Sequence, residues 1–490
     1  MAFDDRMLRD PETGFLLDLS RAPEDDPAAW PACIAALQAL EAGAIANPDE
    51  GRQVGHYWLR DPELAPSAGQ RAAIEGAWAG IEALELGAHT DVLLVGIGGS
   101  ALGPQLLRAA LATPRDTAKL HFLDNTDPEG FQRVLGSLTP HRTLALVVSK
   151  SGGTVETRNA MLATEAWYGA AGTCISDHGI AITGEGSRLD QHAAAWRARL
   201  PVWDWVGGRT SVSGPVGLVP MALCGWDWRG LLAGARAMDA LTRLPFGENP
   251  AAQLAASWYA AGAGRGEKAL VIEPYRDRLS LLGRYLQQLV MESLGKRLDR
   301  NGAVVHQGLT VYGNKGSTDQ HAFMQQVRDG RDDAFVHLIE TTSQGPASPA
   351  DGGHDASDHL LGFLLGTRTA LEEAGRPSLT LRVPDTSAHS IGMLIALFER
   401  AVGLYAERID INAYHQPGVE AGKRGAKATL AALTRIRNEL DGHPRTAGEI
   451  AKTASCAPDV AWRVLQHLAA TGRADLTPGA RPSADAFRSV

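Results

Sequence analysis

Short runs of purely apolar residues, set apart by stretches of helical periodicity, constrain what this chain can fold into more than any other feature. They fall into two series, one at 92–95, 120–123, 144–148, 180–182 and 202–206, the other at 269–272, 309–312, 335–339 and 379–383. A strand that is apolar on both faces must be covered on both faces, and helices between successive strands make the sheet parallel. The expected fold is α/β, with two doubly wound parallel-sheet domains over 66–215 and 216–430. Residues 1–65 read as a helical N-terminal arm, with Ala32, Ala35, Ala36, Leu37 and Leu40 at helical spacing and breaks at Pro48 and Pro62. Residues 431–490 read as a C-terminal helical extension, two short amphipathic helices about a turn near Pro458 that together resemble a helix-turn-helix unit. From residue 431 on it carries eight Lys or Arg against six Asp or Glu, too even a balance for strong phosphate-backbone binding. It is expected to be a packing or dimer-bracing cap.

The 490 residues carry 47 Lys plus Arg against 56 Asp plus Glu, a formal charge of -9. This balance argues against a nucleic-acid coat or an anionic membrane as partner. Any anion must be captured locally. Cys33, Cys174, Cys224 and Cys456 lie far apart, which indicates neither a disulfide framework nor a zinc site. The N-terminus lacks a basic stretch followed by an apolar one, and no apolar run approaches the ~20 residues that span a bilayer. A cytoplasmic location is expected.

The 54 glycines exceed the usual ~7% of a chain, and several fall where strands give way to helices. Gly96-Ile97-Gly98-Gly99-Ser100 follows one apolar run and opens a helix, so its bare backbone can approach an anion and aim N–H groups at it. With Ala101 and Asp124 it also satisfies the dinucleotide fingerprint. Ser149-Lys150-Ser151-Gly152-Gly153-Thr154 argues against that reading, because it concentrates hydroxyls and an ammonium before a second helix. A phosphate monoester near -2 needs that density of donors. A capped helix start is the plainer alternative.

The second half is richer in proton-handling groups. Gln288, Glu292 and Lys296 stand at i, i+4 spacing, expected on one helical face ended by Gly295; a surface ion pair is the alternative. His321 closes the polar run Gly316-Ser317-Thr318-Asp319-Gln320-His321 and is expected at the head of a helix over 322–327. Arg209 sits on the hinge Gly207-Gly208, and Gln416 and Lys423 occupy a further glycine-containing segment. Each is ambiguous singly.

Together and in this order, the glycine loop at 96–100, the serine loop at 149–154, Gly207 to Val212, Met291 to Lys296, Gly316 to His321 and Asn412 to Lys423 resemble the blocks of the phosphoglucose isomerase family. The resemblance covers about residues 50–430 and implies two sugar-isomerase (SIS) domains. It implies that Gly98, Gly99, Ser100, Ser149, Lys150, Ser151 and Thr154 hold the sugar phosphate while Gln288 and Gln416 line the site. It implies that Glu292 is the base moving a proton between C1 and C2, that Arg209 steadies the enediolate, and that His321 and Lys423 open the ring. Further implications are a homodimer in which His321 comes from the partner, no cofactor or metal, and a place in glycolysis and gluconeogenesis. The sequence departs from the family at Gly152-Gly153 and around Tyr414-His415-Gln416, where Phe and Trp are usual, and residues 431–490 match no part of the family pattern.

Three other readings stay open on the residues alone. A sugar-phosphate sensor would bind ligand here and use its terminal helices on DNA or a partner. A dehydrogenase would use Gly96 to Ala101 with Asp124. A glutamine-dependent aminosugar synthase would need an N-terminal cysteine, where this chain has Ala2 after Met1.

Overall fold

The computed structural model describes residues 6–490, apart from the side chains of Glu420 and Ala421. Residues 1–5, on which the expectation about the N-terminus rests, lie outside the described residues. The chain divides into two compact units, Met1–His415 and Gln416–Val490. Both large sheets belong to the first.

An N-terminal hairpin comes first, β1 (Met7–Asp10) and β2 (Phe15–Asp18), paired antiparallel about a turn in which Gly14 takes φ 70°. Five strands then form the first sheet: β3 (Asp91–Val95), β4 (Lys119–Leu123), β5 (Thr143–Ser149), β6 (Gly179–Thr183) and β7 (Ala198–Pro201). Their order is β4-β3-β5-β6-β7, parallel throughout. Every residue of β5 and β6 is buried, as continuous apolar runs require. After β8 (Ala269–Pro274) come a short ribbon, β9 (Lys296–Leu298) with β10 (Val304–Gln307), and then β11 (Val311–Tyr312), β12 (Ala334–Thr341) and β13 (Ser378–Val383). The second sheet runs β1-β2-β13-β12-β8-β11. Its last four strands are parallel, and the hairpin joins antiparallel to β13. The α/β class with two parallel sheets is therefore the observed fold.

Three expectations are corrected. The N-terminal arm is not helical throughout: the helix Trp30–Glu41 forms, but Phe15 and Leu17 alternate into the core from β2 and extend the second sheet. The fifth run, at 202–206, is not a strand. Polar-interleaved Ala198–Pro201 takes the sheet edge, and Trp203 and Trp205 stack on one another instead, with Trp205 also against Trp58. The second unit begins at Gln416, earlier than the boundary expected at 430, because a continuous helix, Val419–Glu439, spans that position.

Ala388–Arg408 is a 21-residue helix of the first unit, buried along almost its whole length. Such a helix is apolar all round because it is core, and its polar members must be paired. Arg400 and Arg60 meet Asp239, Glu41 and Glu399 in a buried cluster, and Arg400 also lies over the Tyr57 ring.

The second unit has its own core. Ile436, Ile450, Leu465, Leu468 and Phe487 pack together. Helices Ala447–Thr453 and Pro458–Ala470 form the expected pair, the first started by a reciprocal Thr446–Glu449 capping box. Sequence reading missed the sheet beside them: β14 (Arg445–Thr446), β15 (Asp475–Thr477) and β16 (Ala486–Arg488), ordered β14-β16-β15. Helix, strand, two helices and a strand pair in this order make a winged helix-turn-helix.

Candidate active site

The glycine loop leaves β3 through a turn at Gly98–Ser100 and enters the helix Leu102–Leu111. Its glycines are required by close approach. A Cβ on Gly99 would lie 2.1 Å from the Gly208 carbonyl oxygen, and one on Gly98, where φ is 58°, 3.2 Å from Gln288 Nε2. This loop therefore abuts both the segment carrying Arg209 and the segment carrying Gln288. Asp124 accepts a hydrogen bond from Gln105 Nε2 at 2.7 Å, which engages the side chain that a ribose would need.

The serine loop leaves β5 and opens the helix Val155–Ala170. Thr154 stands at its cap position, yet its hydroxyl caps no backbone N–H. The capped-helix alternative thus loses its mechanism for Thr154. Ser149 is buried, Ser151 and Gly153 are exposed, and a Cβ on Gly152 would lie 2.2 Å from the Leu189 nitrogen. Lys150 does not project freely: its Nζ donates to the carbonyls of Asp204 at 2.9 Å and Val206 at 3.1 Å. This straps the serine loop to the approach to Arg209. Burial, with the Arg52 guanidinium next, pulls the Lys150 ammonium down to about 8.

Arg209, only 6% exposed, lies in the short turn Gly208–Thr210. Its Nε donates to Ser293 Oγ at 2.7 Å, its Nη2 to the Ala413 and His415 carbonyls, and its Nη1 stands 3.4 Å from Glu292 Oε2. Burial lowers its pKa from the usual guanidinium value, with Glu292 opposing. Glu292 also accepts from Gln288 Nε2 at 3.2 Å. Its side chain keeps 23% of its surface exposed, so a fixed carboxylate faces outward from a buried cation.

Gln288 and Glu292 do share a face, although by a different backbone path. Leu282–Leu286 is α-helical, and Gln287–Glu292 widens into a π-helix, a local expansion frequent at functional sites. Lys296 is not on that helix. It begins β9, and its buried Nζ donates at 2.7 Å to the carbonyls of both Glu292 and Ser293. Burial, with Arg209 adding to it, pulls its ammonium down to about 7. Gly295 ends the helix as expected.

His321 joins none of these contacts. It is exposed and ends a short 3-10 turn, Asp319–His321, while the following helix is Met324–Asp329. The expectation that it heads a helix is corrected. Gln416 opens the second unit, and Lys423 lies on the helix Val419–Glu439.

The group brought together in the first unit is Gly98, Gly99, Gln288, Glu292 and Arg209, with Lys150 strapped alongside. Sequence reading missed Ser293 and the Ala413 carbonyl, which fix the guanidinium. It also missed His56, fully buried on the wall of a small cavity that reaches Arg209 and Ser293, with neither ring nitrogen partnered among the described residues. Contacts of this kind, 84 residues apart for Arg209 and Ser293 and 204 for Arg209 and Ala413, leave no periodic trace.

The model of one family, "Phosphoglucose isomerase", matches residues 70–345 and 364–450. A glucose-6-phosphate isomerase of Thermosynechococcus vestitus is 50% identical over 99% of this chain and 98% of its own length. That of Geobacter sulfurreducens is 50% identical over 95% and 93%. The crystal structure of a glucose-6-phosphate isomerase from Chlamydia trachomatis superposes with a TM-score of 0.82 at 25% identity, over 88% of this chain and 90% of that one. No helix among the described residues is long and apolar enough to cross a membrane. With its two parallel sheets and its paired Arg209 and Glu292, the chain belongs to the phosphoglucose isomerase family and is an isomerase.

Proposed function

We propose that this chain interconverts glucose 6-phosphate and fructose 6-phosphate through a cis-enediolate, with Glu292 as the base. The observation that carries the reading is the Glu292 carboxylate, partly open to solvent, held between Gln288 and the buried Arg209 beside a glycine loop that opens a helix. Moving a hydrogen between adjacent carbons requires a base within hydrogen-bond reach of C1 and C2 and a positive group where oxygen gains charge. One carboxylate serves both carbons in turn. It takes the proton from C2 of the aldose and returns it to C1, and Arg209 compensates the charge on the intervening oxygens. No redox partner is needed, because oxidation at one carbon balances reduction at the other.

The phosphate takes no part in bond-making. Its binding to Ser100, Ser149, Lys150, Ser151 and Thr154 holds the sugar so that its first two carbons face Glu292. His321 and Lys423 are assigned to ring opening, and Gln416 to the wall of the site. The exposed His321, outside the contacts that gather around Glu292 in the same chain, supports a site completed by a second copy in a homodimer. The family's reaction fits a cytoplasmic enzyme of glycolysis and gluconeogenesis.

Two expected results test parts of this reading. Mixing inactive Glu292→Gln and inactive His321→Ala proteins under subunit exchange should restore activity at hybrid sites; no recovery would refute sharing. For Lys150, the sign follows from a pKa pulled down to about 8 in the free enzyme. The ammonium is charged below that pH and neutral above it, so KM should rise as pH rises through about 8. Lys150→Met should raise KM by about tenfold or more at pH 7 and abolish that alkaline rise in KM. An unchanged KM would remove Lys150 from the phosphate site.

A further inference from the structure

A pair of buried carboxyls lies beneath the loop that carries His321. Glu273 sits near the end of β8 and Asp319 in the turn two residues before the histidine; each is 1% exposed. Asp319 is the hub of the loop. Its carboxylate accepts from the Asn314 N–H at 2.7 Å, the Lys315 N–H at 3.1 Å and Asn314 Nδ2 at 3.1 Å. Its carbonyl accepts from the N–H groups of Ala322 and Phe323, on the far side of His321. The loop is also tied to β8 directly, because the Gly316 N–H donates to the Pro274 carbonyl at 2.9 Å. A Cβ on Gly316 would lie 2.3 Å from the Tyr275 ring.

Glu273 lies within hydrogen-bond reach of this hub at Asp319, while its Oε1 has no partner among the described residues. Two phenols feel the Glu273 charge, Tyr275 from its own strand's continuation and Tyr312 from β11, each pushed up first by burial. The nearby Lys315 ammonium is turned to Asp277. An Asp319 carboxylate that already accepts from loop donors can bond to a second carboxyl only if that carboxyl brings a proton.

We infer that Glu273 is a positioning residue for His321: as the neutral acid it donates to Asp319 and so holds the loop that presents the histidine, and its ionisation releases that loop. The inference rests on the role proposed for His321 in ring opening. It requires no new ligand and no covalent step. Burial first, then the facing Asp319, push the Glu273 carboxyl up to about 8, so the proton is held at neutral pH and lost just above it. In the unfolded chain the same group ionises near ~4.3. Between those values only the folded state holds the proton, so the pair's contribution to stability is present at acid pH and is lost as pH rises through about 8.

The test is kcat at saturating glucose 6-phosphate across pH 6 to about 10, where Lys150 is already shielded by bound phosphate. Wild type should lose kcat several-fold as pH passes about 8. Glu273→Gln, which keeps an N–H donor for Asp319 at every pH, should match wild type within about twofold at pH 7 and lack the alkaline fall. Glu273→Ala should lose kcat at all pH values. Thermal unfolding gives an independent reading: the advantage of Glu273→Gln over wild type should grow from pH 5 to pH 9. Asp319→Asn, which removes the repulsion while keeping an acceptor for the loop, should likewise lose the alkaline fall and serves if the Glu273 variants fold poorly. A Glu273→Gln profile and unfolding series that superimpose on wild type would overturn the inference. His321→Ala separates the two layers: if it keeps full kcat, the role of His321 fails. If it loses kcat by about 10² or more while Glu273→Gln behaves as wild type, only the role of Glu273 fails.

Discussion

Glu292→Gln should lower kcat by ~10²–10⁴, the range for removing a positioned general base, while leaving the affinity for a sugar-phosphate inhibitor within about twofold of wild type. The substitution is nearly isosteric. The new amide would keep an oxygen to accept from Gln288 Nε2, which now bonds at 3.2 Å, and would still lie beside Arg209. The proposed phosphate donors belong to other loops, so ground-state binding should be untouched. What disappears is the lone pair able to take a carbon-bound proton. A kcat within tenfold of wild type would show that another group performs the transfer.

Arg209→Lys is the second large effect, with kcat expected to fall by about 10²–10³, as when one preorganised oxyanion donor is removed, and KM to change much less. The guanidinium presents donors in several directions at once. Nε meets Ser293, Nη2 the Ala413 and His415 carbonyls, and Nη1 faces Glu292. A lysine ammonium lacks that planar fork, so it would satisfy one side of the collar and leave the others buried without a donor. Loss of the charge's position, rather than of the charge itself, is what kcat would register. A variant that raises KM in proportion and leaves kcat unchanged would place Arg209 in substrate binding alone.

Much of this architecture was legible because it depends on local patterns. Buried parallel strands such as Thr143–Ser149 are apolar without interruption, and the glycine loops mark the turns that follow them. The failures have equally physical causes. Residues 202–206 look like a strand by composition, but Trp203 and Trp205 stack on one another and Ala198–Pro201 takes the sheet edge instead. The i, i+4 spacing of Gln288, Glu292 and Lys296 is compatible with one α-helix, yet a π-turn intervenes and Lys296 enters a strand, where its ammonium serves the Glu292 and Ser293 carbonyls. The hairpin at the N-terminus completes a sheet whose nearest strand is more than three hundred residues away in sequence. Among the site residues, Glu292 and Arg209 were recognisable from blocks of sequence, whereas Ser293, His56 and the Glu273–Asp319 pair were not. Their importance arises only from what folding brings beside them.

The central claim is that Glu292 moves a proton between C1 and C2, and isotope exchange tests it most directly. Wild-type enzyme incubated with glucose 6-phosphate in deuterium oxide should introduce deuterium at C2 of the recovered aldose, detectable by proton NMR, because a carboxyl proton exchanges with solvent during the lifetime of the enediolate. Under the same conditions Glu292→Gln, with inhibitor binding intact, should show no incorporation above the uncatalysed background. Deuterium entering C2 at the wild-type rate in that variant would contradict the account.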